Sequence, residues 1–231
     1  MIPSVAIVVP TLNEESTISG LLEHLATLGA QEIIVADGNS TDRTVERAQE
    51  NGRACVVTLP TPNRGHQMNT GANAARSDVL LFLHADTRLG PGAIQTLRAA
   101  MANPEVLGGN FDIRYEGGWI SATFSRVNRW RRRWGVFYGD SGIFCRREVF
   151  QTFRGYRTWP IMEDYEFARR LWQQSDHGRC LALLDDPIEV SGRRWRDRGA
   201  FSTLASWVLI QALYSLGVAP ERLARLYLVV R

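Results

Sequence analysis

Polar side chains gather where apolar runs of this 231-residue chain end: Asn13 and Glu14 after Val5 to Pro10, Asp37 closing Glu32 to Asp37, and Asp86 just beyond Val79 to His84. A buried parallel strand aims the residues past its C-terminal end into the crevice above the sheet, so carboxylates from neighbouring strands can converge on one ligand. On a sugar nucleotide, one would lie near base and ribose and another near a metal-bound diphosphate. Helix capping accounts for Asn13 or Asp42 taken singly, since both are good capping types. It accounts less well for the set that includes Asp37 and Asp86. A further acidic pair, Glu163-Asp164, opens a helical stretch, where the helix dipole alone favours negative charge.

The elements that must position these groups follow from hydrophobic spacing. Ile18, Leu21, Leu22, Leu25 and Leu28 fall at helical intervals between the first two apolar runs, and Gly29 stands where a C-cap belongs. Asn39 to Asp42 offers N-cap side chains for a second helix running to Glu50, and Asn51-Gly52 turns the chain. Ala54 to Leu59 reads as a third strand, Arg64 to Arg76 as a helix, and Val79 to His84 as a central strand apolar throughout. Such alternation implies a mostly parallel α/β sheet with right-handed crossovers. Beyond it we expect a strand over Asn110 to Tyr115, a loop rich in Arg and Trp, a strand around Gly142 to Arg146, and a helix over Glu163 to Gln174. No repeat or Gly/Ser linker divides the halves, so residues 1–231 form one domain: a ligand-binding half, 1–90, and an acceptor-side half, 91–231, with C-terminal helices.

Composition narrows the function. With 45% hydrophobic and 22% charged residues the chain can bury a sizeable core. The net charge of +3 is concentrated in Arg129 to Arg133 and Arg193 to Arg198, which favours a phosphate-bearing or anionic-surface partner over nucleic acid. Cys55, Cys145 and Cys180 form neither a disulfide framework nor a thiolate metal site, and Met1 to Ser4 carries no leader pattern; both point to a cytoplasmic protein. The first strand turn, Pro10-Thr11-Leu12-Asn13-Glu14-Glu15, lacks the glycines of a dinucleotide oxidoreductase, and no phosphate-cradling Gly/Lys loop follows any strand, which counts against a nucleotidyltransferase.

Five segments together resemble the family 2 glycosyltransferases of GT-A fold: Val8 to Glu15, Ala36 to Thr44, Asn63 to Gly71, Leu83 to Thr87 and Met162 to Phe167. The resemblance implies an inverting transfer from a nucleoside-diphosphate sugar, UDP-linked by preference, to a hydroxyl acceptor. It implies that Pro10, Asn13, Glu14 and Asp37 line the nucleotide pocket, Asp37 meeting the base, with Arg64 and Asn69 nearby. Asp86 would bind a divalent metal, Mn²⁺ or Mg²⁺. The family's D-x-D motif here reads His84-Ala85-Asp86, and an imidazole beside a carboxylate suits Mn²⁺ better than Mg²⁺, which prefers oxygen ligands. Of the Glu163-Asp164 pair, Asp164 would be the general base that deprotonates the acceptor. Tyr138 to Gly142, with Asp140, resembles the segment that contacts donor sugar or acceptor. Ser191 to Trp195 resembles the Q-x-x-R-W motif of processive members with Ser191 replacing Gln, so a polymerase is not implied, but Arg193, Arg194 and Trp195 would clamp diphosphate and acceptor. A non-catalytic sugar-nucleotide or partner-binding module is the alternative if His84 abolishes the metal.

Phe201 to Pro220 carries no charge and is flanked by arginines, yet its Ser, Thr, Gln and Tyr residues, with a mean hydropathy of -0.18 for the whole chain, favour a core, dimer or membrane-surface helix over a span. Arg129 to Trp134 combines cations with interface-seeking aromatics, as a peripheral membrane contact or a lipid-linked acceptor site would.

Overall fold

The computed structural model describes residues 2–115, 119–190 and 200–230. The eight strands are β1 (Val5–Thr11), β2 (Glu32–Asp37), β3 (Cys55–Thr58), β4 (Val79–Phe82), β5 (Thr87–Leu89), β6 (Gly108–Tyr115), β7 (Phe144–Arg146) and β8 (Leu181–Val190), in one sheet of order β3-β2-β1-β4-β7-β6-β8-β5. β1 to β4 are mutually parallel, β7 runs antiparallel to both its neighbours, β6 and β8 are parallel, and β5 closes the edge antiparallel to β8. The helices are α1 (Ile18–Thr27), α2 (Thr44–Asn51), α3 (Arg64–Ala74), α4 (Ala93–Met101), α5 (Trp119–Arg131), α6 (Arg147–Thr152), α7 (Glu163–Gln174), α8 (Ala200–Ser215) and α9 (Pro220–Val230).

Strand alternation divides the core between two faces. Ile7 and Val9 of β1 and Leu81 of β4 point to the layer holding Ile18, Leu22 and Leu97 of α1 and α4. Ala6 and Val8 of β1 and Leu80 and Phe82 of β4 point the other way, to Met68, Phe167 and Leu171 of α3 and α7. The central strands are buried on both sides, as their unbroken apolar runs require. A smaller cluster joins Met162 and Tyr165 to Ile210 and Leu223 and so docks α8 and α9 beside the start of α7.

Most expected elements are present within a residue or two, and α7 matches over its full extent. Gly29 and Gly52 end α1 and α2 with φ of 78° and 68°. β4 stops at Phe82 rather than His84, so His84 belongs to the turn that follows. The expected Arg- and Trp-rich loop is instead the end of α5 and a 3-10 turn, Arg132–Trp134. Its inward stripe consists of Phe124, Asn128 and Arg132, at i, i+4 and i+8. Two of these three are polar, so no apolar helical period is visible. β8 was not expected because Asp185-Asp186-Pro187 interrupts it. Between Phe111↔Leu184 and Asp112↔Pro187, β8 carries the extra pair Asp185 and Asp186. The buried Arg132 enters there, donating to the Leu184 carbonyl at 2.7 Å and the Asp185 carboxylate at 2.6 Å.

β6 begins on two glycines for a steric reason: a Cβ at Gly109 would sit in hard contact with the Ala182 carbonyl of β8. Gly109→Ala must therefore push β6 from β8, and we expect a loss of about 1 to 3 kcal/mol in a urea titration followed by circular dichroism.

Candidate functional site

At the C-terminal ends of β1 and β2, Asp37 is 1% exposed and is the hub of a hydrogen-bond network. Its Oδ1 accepts from the Thr11 hydroxyl at 2.9 Å and the Ser40 hydroxyl at 2.5 Å, and its Oδ2 from the Ser40 amide at 2.8 Å. Its carboxylate is thus fixed where the crevice begins. Asn13, in the left-handed region at φ 55°, has its Oδ1 bonded to the Thr41 amide at 2.9 Å and donates its own amide to Ser40 Oγ at 2.8 Å. It therefore ties the loop after β1 to the loop after β2. Glu14 accepts from the Thr17 hydroxyl at 2.7 Å in the first turn of α1, and Asp42 accepts from the Thr44 and Glu15 amides. Pro10 lies half-buried opposite Ala36 in the β1–β2 register.

A second set collects below β4. His84 and Asp86, both half-buried, occupy the turn between β4 and β5, where the Thr87 hydroxyl donates to the His84 carbonyl at 2.7 Å. Asp164, one residue into α7, accepts the Gly139 amide on Oδ2 at 2.8 Å and its neighbour Tyr165's amide on Oδ1 at 2.7 Å. A Cβ at Gly139 would lie 2.9 Å from His84 Nε2 and 3.1 Å from Asp164 Oδ2, so the imidazole and the carboxylate border one small space kept open by glycine. Arg64, at the first position of α3, stands 3.4 Å from Glu163. Glu163 is the largest influence holding the guanidinium above its ordinary pKa, and Asp164, Tyr227 and Asp86 act in the same direction. Arg64 is therefore the common cation of the acidic groups at the ends of β4 and the start of α7. Met162, immediately before this pair, adopts φ 67°, a left-handed conformation costly for a side chain of its size, and is held by packing against the cluster with Ile210 and Leu223.

Not every expected residue points into this space. The Asn69 amide bonds the backbone of Tyr156 on both sides, accepting its N–H at 2.8 Å and donating to its carbonyl at 2.9 Å, so it anchors the 155–158 loop. Asp140 accepts the Tyr115 hydroxyl at 2.5 Å and joins the turn after Tyr138 to β6. Arg193, Arg194 and Trp195 lie outside the described residues. Three contributors were not singled out from sequence. Gln67, 4% exposed, donates to the carbonyls of Thr11 at 2.7 Å and Ala36 at 2.9 Å and so locks the ends of β1 and β2 together. Ser40 and Gly139 are the others; all three stand inside or beside the segments that carried the resemblance, and that was their signal.

A sheet in which β2 ends on Asp37 and β4 leads into the turn His84-Ala85-Asp86, facing a helix that starts Glu163-Asp164, has the GT-A fold of nucleotide-sugar transferases. The glycosyl transferase family 2 model matches residues 6–163, and the chain belongs to that family. It is 25% identical over 218 residues to the NDP-glycosyltransferase LtbB of Aspergillus luteorubrus, a match covering 84% of this chain and 51% of that protein. The chain spans about half or less of the length of the curated relatives it matches first. In fold it is similar to the mannosyltransferase PcManGT of Pyrobaculum calidifontis, solved with GDP-Man and Mn²⁺, with a TM-score of 0.68 at 19% identity over 100% of this chain and 70% of that one. It is also similar to glucosyl-3-phosphoglycerate synthase of Mycobacterium tuberculosis, solved with Mn²⁺, UDP-glucose and glycerol 3-phosphate, with a TM-score of 0.58 at 20% identity over 80% and 70% of the two chains.

Glu163 is 2% exposed, and burial pushes its pKa from 4.5 up to about 7, with Arg64 opposing and Asp164 adding to the rise. A raised folded-state pKa means that the native protein binds the extra proton, so stability is fully present below pH 4.5 and is lost as pH rises through about 7. We expect this loss to reach up to ~3 kcal/mol in denaturant titrations across that window, and Glu163→Gln to flatten the profile.

Proposed function

We propose that the chain transfers a sugar from a nucleoside-diphosphate donor, UDP-linked by preference, to a hydroxyl acceptor, with inversion at the anomeric carbon and Asp164 as general base. The observation that carries this reading is the shared space beside Gly139, bordered by His84 Nε2 and Asp164 Oδ2. A base must sit within hydrogen-bond reach of the attacking oxygen, on the side where the donor's reactive carbon is presented. The Gly139 amide and the Tyr165 amide fix both oxygens of Asp164, so its lone pairs hold a constant direction. The acceptor hydroxyl then attacks the anomeric carbon, its proton passes to Asp164, and the bond from that carbon to the diphosphate oxygen breaks.

Asp37 suits the base end of the donor, because an acceptor-only carboxylate complements an N–H of uracil or guanine. At the diphosphate end, Asp86 and His84 are the residues that would hold a divalent ion. Among the described residues no three His, Cys, Asp or Glu side chains form a cage of their own. Two protein ligands with the remainder supplied by phosphate oxygens are the usual arrangement for an ion that enters with a nucleotide. The imidazole makes Mn²⁺ the better fit. When bound, such an ion would neutralise charge developing on the departing diphosphate. Arg64 adds a fixed cation to the same region.

The test is turnover of UDP- and GDP-sugars, followed by nucleoside-diphosphate release, in wild type and Asp164→Asn. The amide retains an oxygen for the Gly139 N–H but no longer takes a proton, so we expect a fall of about 10² to 10⁴ in rate with donor affinity within a few-fold of wild type. Equal rates in the two proteins would remove Asp164 from the chemistry. A wild type that binds donor without turnover would leave a binding module.

A further inference from the structure

The arginines and tryptophans around residue 130 do not act as one cluster. Arg129 pairs with the buried Asp112, and Arg132, 4% exposed, is sealed against the β8 bulge. Arg126, Val127, Trp130, Arg133 and Trp134 fall on the opposite side, at intervals that place them along one face of α5 and its 3-10 extension. Trp130 is 63% exposed, Trp134 60% and Val127 47%, and the two indole rings lie side by side with centroids 6.3 Å apart. Among the described residues neither Arg126 nor Arg133 has an ion-pair partner. No acidic residue occurs from Trp119 to Gly135.

A neighbouring helix packs on the inward side of α5 and exposes apolar side chains of its own. Trp207 of α8 packs on Phe124 of α5 at 5.6 Å, which sets the two helices against each other. α8 is uncharged along its whole length; on it Val208 is 67% and Leu209 48% exposed, and just past its end Leu216 is 81% exposed. Large apolar side chains left in water side by side, as Trp130 and Trp134 are, mark an interaction site. Unpaired cations and the absence of acids on the α5 face select an anionic partner, and flat indoles flanked by arginines match the headgroup zone of a bilayer. Among the described residues no helix is long and apolar enough to cross a membrane.

We infer that the outer face of α5 and its 3-10 extension docks on the surface of an anionic lipid bilayer. The helix that carries this face, and α8 behind it, also reach the residue beside Gly139. The Tyr138 hydroxyl donates to Gln211 of α8 at 2.5 Å, and its ring carries the Arg131 guanidinium at 4.8 Å; the next residue is Gly139, which holds Asp164. Docking would bring the lipid surface to the wall of the crevice, which fits an acceptor whose hydroxyl or phosphate is carried by a lipid. That last consequence rests on the proposed sugar transfer; the docking itself does not.

The experiment is co-sedimentation of the full chain with vesicles of phosphatidylcholine alone or mixed with phosphatidylglycerol, in wild type, Trp130→Ser/Trp134→Ser and Arg126→Gln/Arg133→Gln. Wild type should bind only the anionic vesicles and should be released by salt. The arginine pair should weaken binding by roughly tenfold or more at low ionic strength, and the tryptophan pair should abolish it. All these side chains are exposed, so thermal melting should stay at the wild-type temperature and confirm folded variants. Wild type remaining in the supernatant with anionic vesicles, or a tryptophan variant that sediments like wild type, would overturn the inference. So would light scattering that shows a wild-type dimer converted to monomer by the tryptophan pair with vesicle binding unchanged, since the face would then join two copies of the chain. Calorimetry with UDP- and GDP-sugars on the same samples separates the two readings: vesicle binding without nucleotide binding would sink the transfer and leave the docking.

Discussion

The site depends on one position that has no side chain. Gly139 lets the imidazole after β4 and the carboxylate at the start of α7 approach a common space, and its amide is also the donor that orients Asp164. Any side chain there would press on His84 Nε2 at 2.9 Å and Asp164 Oδ2 at 3.1 Å. Neither strand end nor helix start can retreat cheaply. β4 is buried on both faces between β1 and β7, and α7 is pinned through Phe167, Ala168 and Leu171 in the core beneath the sheet. Two rigid elements that meet across a glycine make a preorganised pair, and preorganisation is what proton transfer at a fixed distance requires.

Electrostatics complete the arrangement. Glu163 and Asp164 stand side by side at the start of α7, and Arg64, 3.4 Å from Glu163, is raised above its ordinary pKa first by Glu163 and further by Asp164. Burial of Glu163 raises its pKa while Arg64 lowers it, so its charge near neutrality depends on the arginine's position. Arg64 is held by the helix it opens: Asn63 caps α3 by accepting the His66 amide at 2.8 Å and ties the cap to the Thr158 carbonyl at 3.1 Å. The loop from 155 to 158 is thus tied to the start of α3 by Asn63 and to its middle by Asn69.

The first half of the fold could be read directly because β1, β2 and β4 are apolar runs bounded by glycines and caps, a pattern with one physical solution. α7 is legible too, with Tyr165, Ala168 and Leu171 at helical spacing after the acidic pair Glu163-Asp164. The second half hid its pattern for a common reason: polar groups are buried there. Arg132 in the β8 bulge and Asn128 within α5 replace the apolar period that would have announced the helix, and Asp185-Asp186-Pro187 looks like a turn when it is an interruption in a ten-residue strand. Side-chain direction was also beyond one-dimensional reading. Asp37 is tied to Thr11 and Ser40 at the strand ends, whereas Asn69 is engaged with the backbone of Tyr156.

The central claim is that Asp86 and the strand ends around it hold a nucleoside diphosphate together with a divalent ion. Its most direct test is a calorimetric titration of UDP and GDP, each with Mn²⁺, with Mg²⁺ and with EDTA, into wild type and Asp86→Ala. The account predicts binding that needs the ion, is stronger with Mn²⁺, and disappears in Asp86→Ala while the variant melts at the wild-type temperature. Binding of equal strength in EDTA, or an Asp86→Ala protein that still binds with Mn²⁺ as wild type does, would contradict it.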